Sequence, residues 1–351
     1  MAKTRSATSS SALAELKTVL ASLFLALLLA GCVSSTPRET RPTLNVPFIA
    51  QESNYCGPAA LAMLANFYGY SVSQDEIAGS IYLPDIHGTL TSDLADYARR
   101  FNLWVRSYRG STVDLREKIR AGVPMIVLGK FGANFHFFVV LGFDDFNETV
   151  MVHSDSRARL ELNQDDFFRF WDRAGRWTLL VCPPDRTPWP LSAEENNDLG
   201  VFLEQTGRLV AAAGHYQSAM DLSPANSYFR MNLGNALLKQ NLFAEAASAY
   251  AGAVKVDPEN ADALNNLAYA YEELGANLDQ AIELCRRAAA LRPSHRAYYL
   301  DTMGAVYLKQ ERPKDAVAVF ESALAATTDR QSSLRATIAQ HLAAARTQLK
   351  D

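Results

Sequence analysis

Between residues 57 and 68 apolar side chains recur at Leu61, Met63, Leu64 and Phe67. That spacing predicts a helix, with Gly69 behind it as a stop. A second helix is predicted over 92–101, with Ser92 as its cap and Leu94, Ala95 and Tyr97 on its inner face. A short third is predicted over 115–121. After Gly122 and Pro124 the pattern changes. Residues 125–128, 137–143, 149–152 and 177–181 are short apolar runs that predict strands, and Asn147-Glu148 predicts a hairpin turn between two of them. Helices first and antiparallel strands afterwards argue an α+β domain with segregated layers, placed at 44–184.

The next residues, 185–191, are rich in Pro and predict a rigid linker, because repeated Pro blocks both helix and sheet pairing. From residue 192 onward Ala and Leu recur at helical spacing. Pro224 and Pro258 are 34 residues apart, and matching positions precede each: Leu199-Gly200 and Leu233-Gly234, Ala212 and Ala246, Tyr216 and Tyr250, Ala219 and Ala253. A third copy carries Leu267-Ala268, Tyr271, Ala281, Cys285 and Ala288, with one residue inserted near Asn277. A fourth carries Met303-Gly304, Tyr307, Ala316, Phe320 and Ala323. The period resembles the tetratricopeptide repeat, a helix–turn–helix unit. The resemblance implies an all-α solenoid of four repeats over 192–328, with 329–351 as a capping helix over the last apolar face.

The first 31 residues read as an address. Lys3, Arg5 and Lys17 precede an apolar run from Val19 to Ala30, about the length of a signal-peptide core. It ends in Leu29-Ala30-Gly31-Cys32, which resembles the bacterial lipobox. The resemblance implies lipid on Cys32 as the new N-terminus, and residues 32–43 as a polar tether. Val33 rather than Asp after Cys32 resembles the sorting preference for the outer membrane, facing the periplasm. From Cys32 on, the chain has 31 basic and 37 acidic residues. With no basic stripe, it offers no electrostatic footprint for nucleic acid. No cysteine pair has zinc-ligand spacing, so no metal or other cofactor is expected. Cys182 and Cys285 read as buried thiols rather than as a disulfide.

Candidate chemistry lies in the stretch Gln51-Glu52-Ser53-Asn54-Tyr55-Cys56-Gly57-Pro58. Cys56 sits just before a predicted helix, where exposed N–H groups and the macrodipole are expected to ease thiol ionisation. Pro58 fits the first turn. Gln51, five residues earlier, is placed to donate to an oxyanion. His136 opens an apolar strand and would act as base. Asp155, at the end of the next strand, would return beside it in an antiparallel pair, although Asp144 or Asp145 could serve instead. His153 reads as a supporting or surface residue.

Together Gln51, Cys56-Gly57-Pro58-Ala59, His136-Phe137 and Asp155 resemble the bacteriocin-processing, double-glycine peptidase-like family of papain-like cysteine peptidases, over residues 46–181. The resemblance implies Cys56 as nucleophile, His136 as base and then acid, Asp155 as orienter and Gln51 as oxyanion donor. The family commonly has Pro after the orienting Asp; this chain has Ser156. No transporter follows and a lipid anchor precedes, so a leader substrate is not implied. The sequence therefore reads as a membrane-anchored extracytoplasmic thiol peptidase. Two alternatives stay open: a catalytically silent peptidase-fold scaffold, and a thiol acyltransferase that shares the first half-reaction. The repeats imply docking of a substrate or partner protein, with Tyr228, Asn232, Asn235, Asn265, Asn266, Tyr269 and Glu272 expected on the inner face.

Overall fold

The computed structural model describes residues 43–349. The expected signal peptide, Cys32 and the tether as far as residue 42 lie outside the described residues. Three helices come first: α1 (Cys56–Phe67), α2 (Gln74–Ile81) and α3 (Thr91–Ala98). Then come β1 (Trp104–Arg109), α4 (Thr112–Arg120), β2 (Met125–Phe131), β3 (Asn134–Asp144), β4 (Thr149–Ser154), β5 (Arg157–Asn163), α5 (Gln164–Arg173) and β6 (Trp177–Cys182). The strands form one antiparallel sheet in the order β1-β6-β2-β3-β4-β5.

The mixed α and β region is as expected, but the layering is not purely helices then strands. Helices α4 and α5 are interleaved among the strands, and α2, β1, β5 and α5 carry no expectation from the sequence. Helices α2 and α5 and strand β5 are largely polar, and β1 mixes apolar with polar residues over only six positions. Helix α2 buries only Ile77, Ala78 and Ile81 and is started by Ser73, whose hydroxyl accepts from Glu76 N–H at 3.1 Å. Ser92 does not cap α3: the helix starts one residue earlier behind Leu90, and the Ser92 hydroxyl donates to the Asp93 carboxylate instead.

The central strands are unbroken apolar runs because both faces of the sheet are covered. Leu61, Leu64, Ile77 and Leu94 from α1–α3 meet Ile126, Val139, Leu141, Leu179 and Val181 on one face. On the other, Leu115, Ile119, Phe167 and Trp171 meet Met125, Val127, Phe138, Val140 and Leu180. Each such fully buried side chain contributes roughly 1.5–3 kcal/mol.

Helices α6 (Ala193–Gln205) to α13 (Pro313–Ala325) form four antiparallel pairs, followed by α14 (Ser332–Gln348). Within three pairs the first helix presents a glycine to an aromatic ring of the second. A Cβ would meet Tyr216 at 2.7 Å from Gly200, Tyr250 at 2.5 Å from Gly234, and Phe320 at 2.4 Å from Gly304. The third pair replaces this with Ala268 and Cys285, a Cβ matched by a smaller partner.

Residues 183–191 have neither helix nor strand, yet Trp189 is buried in the same cluster as Trp104 of the sheet and Leu199 and Leu203 of α6. Beneath its ring lies the ammonium of Lys118, 4.6 Å from the centroid and 1% exposed. Lys118 Nζ is 2.8 Å from Asp114 Oδ1 and 3.0 Å from Glu195 Oε1 of α6. Arg106 Nε adds a bond of 2.9 Å to Asp198 Oδ2. The apolar core therefore runs from the sheet into the first repeat, with a buried ammonium at the seam.

Removing one member of a buried ion pair leaves the other uncompensated, which costs more than the pair itself is worth. Lys118→Ala is expected to lower stability by about 3 kcal/mol or more, read as a drop in the denaturation midpoint. A midpoint within error of the parent would show that Arg106, whose guanidinium lies 3.7 Å from the same Glu195 oxygen, or water compensates that carboxylate.

Candidate active site

Cys56 is the first residue of α1. Gly57 lets that helix start approach β3, because a Cβ there would stand 3.3 Å from the Phe137 ring and from Thr89 Cβ. The thiol thereby comes within reach of the Phe137 N–H, one residue past His136. His136 is not the opening residue of its strand. It is the third residue of β3, paired with Gly129 of β2, since the strand starts two residues earlier at Asn134.

Strands β4 and β5 are joined by a tight turn. Ser154 pairs with Arg157, leaving Asp155 and Ser156 as a two-residue loop. Asp155 takes the left-handed backbone conformation, φ 53°, which Asp tolerates better than most side chains. This turn gathers the site. Asp155 Oδ1 lies 3.6 Å from His136 Nε2. Its carbonyl accepts the backbone N–H of Gln51 at 3.0 Å. Ser154 Oγ lies 3.0 Å from His136 Nε2 and donates to Asp155 Oδ2 at 3.3 Å.

A serine hydroxyl has one hydrogen. If it goes to Asp155, Ser154 must accept from an Nε2–H, and the lone pair of the ring is then on Nδ1. The structure thus brings Gln51, Cys56, His136 and Asp155 to one locus and adds Ser154, which sequence reasoning missed. Only the hairpin register marks Ser154. It ends β4, so its side chain leaves the sheet beside the strand that carries His136.

Asp144 and Asp145, the alternative orienters, stand at the other end of β3. Asp144 Oδ1 accepts from the N–H groups of Phe146 and Asn147, and Asp145 is engaged by Arg116. His153 is buried. Its Nδ1 accepts from the Arg159 N–H at 3.1 Å, so Nε2 carries the hydrogen given to Val46 O at 3.0 Å. It ties the entering chain to β4.

The helix-start amides favour the thiolate as expected, but burial adds a larger opposing effect. Burial raises the Cys56 pKa, and the N–H groups of Phe137, Gly57 and Cys56 itself only partly offset it. Desolvation of the sulfur thus acts against ionisation and exceeds the pull of the favourable amides at the helix start. Burial likewise lowers the His136 pKa, and Asp155 pulls it only partly back, being half exposed and screened by water. Both shifts favour the neutral thiol beside neutral imidazole. Cys182 and Cys285 are fully buried free thiols pushed up to about 12.

On the repeats, the expected inner-face residues divide. Asn232 is buried and donates to Asn197 Oδ1 at 2.7 Å. Asn265 is wholly buried, with no hydrogen-bond partner for its amide among the described residues. These two amides point into the stacked helices and are not presented to a partner. Asn235 accepts from the Tyr250 hydroxyl at 2.7 Å and from Asn266 Nδ2 at 3.3 Å. Tyr228, Tyr269 and Tyr298 are the exposed rings there.

Residues 43–179 match the Peptidase_C39 like family, and residues 231–296 and 300–334 match tetratricopeptide repeat models. The chain thus carries a Peptidase_C39-like domain followed by tetratricopeptide repeats, which are protein-interaction modules. A similar curated protein is "Cellulose synthase operon protein C" of Pseudomonas fluorescens (strain SBW25), 32% identical over 125 residues. That match takes 34% of this chain and 10% of the relative, so the chain spans about a tenth of the relative's length. Among solved structures, "Crystal structure of MamA protein" is similar at 22% identity and TM-score 0.36, over 38% of this chain and 72% of that one. "MamA 41-end from Desulfovibrio magneticus RS-1" has the same identity and TM-score, over 38% and 75%.

Because alkylation follows the thiolate fraction, iodoacetamide is expected to label Cys56 with a pH midpoint above that of a free cysteine peptide. It should still label faster there than at Cys182 or Cys285, read by peptide mass spectrometry. A plateau of fast labelling reaching down to about pH 5 would instead show a preformed thiolate–imidazolium pair.

Proposed function

We propose that this protein is a membrane-anchored extracytoplasmic cysteine peptidase whose repeats dock a substrate or partner protein. The observation that carries the reading is the meeting of Cys56, His136 and the Ser154-Asp155 turn in one half-buried locus, where Asp155 also holds the Gln51 backbone.

The neutral pair defines the first step. As a substrate carbonyl approaches, the Cys56 proton passes to His136 Nδ1 and the sulfur forms a bond to the carbonyl carbon. Negative charge moves onto the carbonyl oxygen, where the Gln51 amide and the N–H of Cys56 donate to it. The C–N bond then breaks and His136 returns its proton to the leaving amine. Water, deprotonated by the same nitrogen, cleaves the thioester and restores the thiol. Ser154 and Asp155 keep the ring in the Nε2–H form and stabilise its transient positive charge.

The membrane anchor rests on the basic region, apolar run and Leu29-Ala30-Gly31-Cys32 at the start of the chain. A single acyl chain binds membranes only marginally, so stable anchoring calls for more than one chain on that cysteine.

Cells carrying Cys56→Ser are expected to lose a set of protein N-termini from their envelope fraction that cells with the parent chain contain, measured by N-terminal peptide mass spectrometry. Identical inventories would remove the peptidase reading. Cys32→Ser is expected to move the chain from the membrane fraction to the soluble one; unchanged membrane retention would remove the lipid anchor.

A further inference from the structure

We infer that Gln74 is a positioning residue for the oxyanion donor Gln51, an inference that rests on the peptidase reading of the site. Gln74 is the first residue of α2, and its side-chain amide reaches across to the segment that precedes Cys56. Its Nε2 donates to Ala50 O at 3.0 Å, and its Oε1 accepts from Glu52 N–H at 3.1 Å. The two bonds flank Gln51 on either side. The Gln51 N–H points the other way and is taken by Asp155 O at 3.0 Å.

This alternation is that of an extended strand, whose successive backbone groups address opposite edges. On one edge the partner is the carbonyl of Asp155. On the other it is a single side chain imitating a neighbouring strand. With both edges held, although the two Gln74 bonds are exposed to solvent, rotation of the segment about its own axis is resisted, and that rotation is what sets the direction of the Gln51 side chain. Residues 50–52 belong to no strand, so no ladder does this work.

The chemistry of the clamp is specific to a primary amide. It must accept with one atom and donate with another from the same terminal group. A carboxylate lacks the donor and would face the Ala50 carbonyl with like polarity; an ammonium lacks the acceptor; Asn is one methylene shorter. The far end is fixed because Ser73 caps the same helix turn through Glu76 N–H. The Gln74 side chain is half-buried, and both of its bonds go to backbone groups rather than to the core.

Two reagents separate oxyanion support from general folding. p-Nitrophenyl acetate acylates a thiol through a tetrahedral oxyanion, whereas iodoacetamide alkylates it by direct displacement and forms none. In the full chain, with modification read at Cys56 by peptide mass spectrometry, Gln74→Ala is expected to slow acylation about tenfold. Alkylation of Cys56 and the denaturation midpoint are expected to stay at the parent values. Gln51→Ala is expected to show the same split, and Gln51→Ala with Gln74→Ala should acylate no more slowly than Gln51→Ala alone, since one residue acts only through the other. Unchanged acylation in Gln74→Ala, an equal loss of both reactions, or additive losses in the double variant would overturn the clamp. Parent chain acylated no faster at Cys56 than it is at buried Cys182 would overturn the peptidase reading itself, and the clamp with it.

Discussion

The site depends on the register of one hairpin. Pairing of Ser154 with Arg157 confines the β4–β5 connection to Asp155 and Ser156, and a left-handed residue is needed to close it. That closure aims three groups at once: the Ser154 hydroxyl and the Asp155 carboxylate at His136 Nε2, and the Asp155 carbonyl at the Gln51 N–H. A shift of one residue would send Ser154 to the opposite face and take the carbonyl out of line. The sheet supplies the rigidity, since β4 is held between β3 and β5. Position at the turn supplies the reach.

Burial then pushes both groups of the pair toward their neutral forms. A helix start offers the sulfur several amides, each favouring the anion. The same packing that brings Phe137 onto Gly57 also strips water from the sulfur, and that loss is the larger effect. His136 is treated alike: its neighbouring carboxylate is too exposed to counter the desolvation of the ring. Both directions favour neutral groups, and on the proposed peptidase reading the proton passes only as a substrate carbonyl receives the sulfur. A thiol held in this way is shielded from oxidation, because the thiolate is the species that oxidants attack.

The sequence was legible where local chemistry is compact. Cys56-Gly57-Pro58 announces a helix start, the run after His136 announces a central strand, and Asp155 follows from antiparallel return. The repeats were legible from the 34-residue period, because a small residue facing its partner helix recurs in every pair, as Gly against an aromatic ring in three of them. Strand β5 escaped notice because it is an edge strand in which only Leu160 and Leu162 are apolar and half-buried. Helix α5 begins Gln164-Asp165-Asp166 and shows its apolar stripe only at Phe167, Phe170 and Trp171. Ser154 and Gln74 were invisible because their roles lie in side-chain bonds to chain-distant groups, for which no spacing rule exists. Asn232 and Asn265 show the converse: helical phase placed them near the inner face, yet both are buried, Asn232 against Asn197 of the preceding repeat.

On the proposed reading, Cys56 and His136 act together to break peptide bonds. The most direct measurement is digestion of a diverse synthetic peptide library by the full chain near neutral pH, with new termini read by mass spectrometry. A reproducible set of cleavages that vanishes in both Cys56→Ala and His136→Ala is expected. Either no cleavage by the parent chain, or the same cleavages in all three proteins, would contradict that reading.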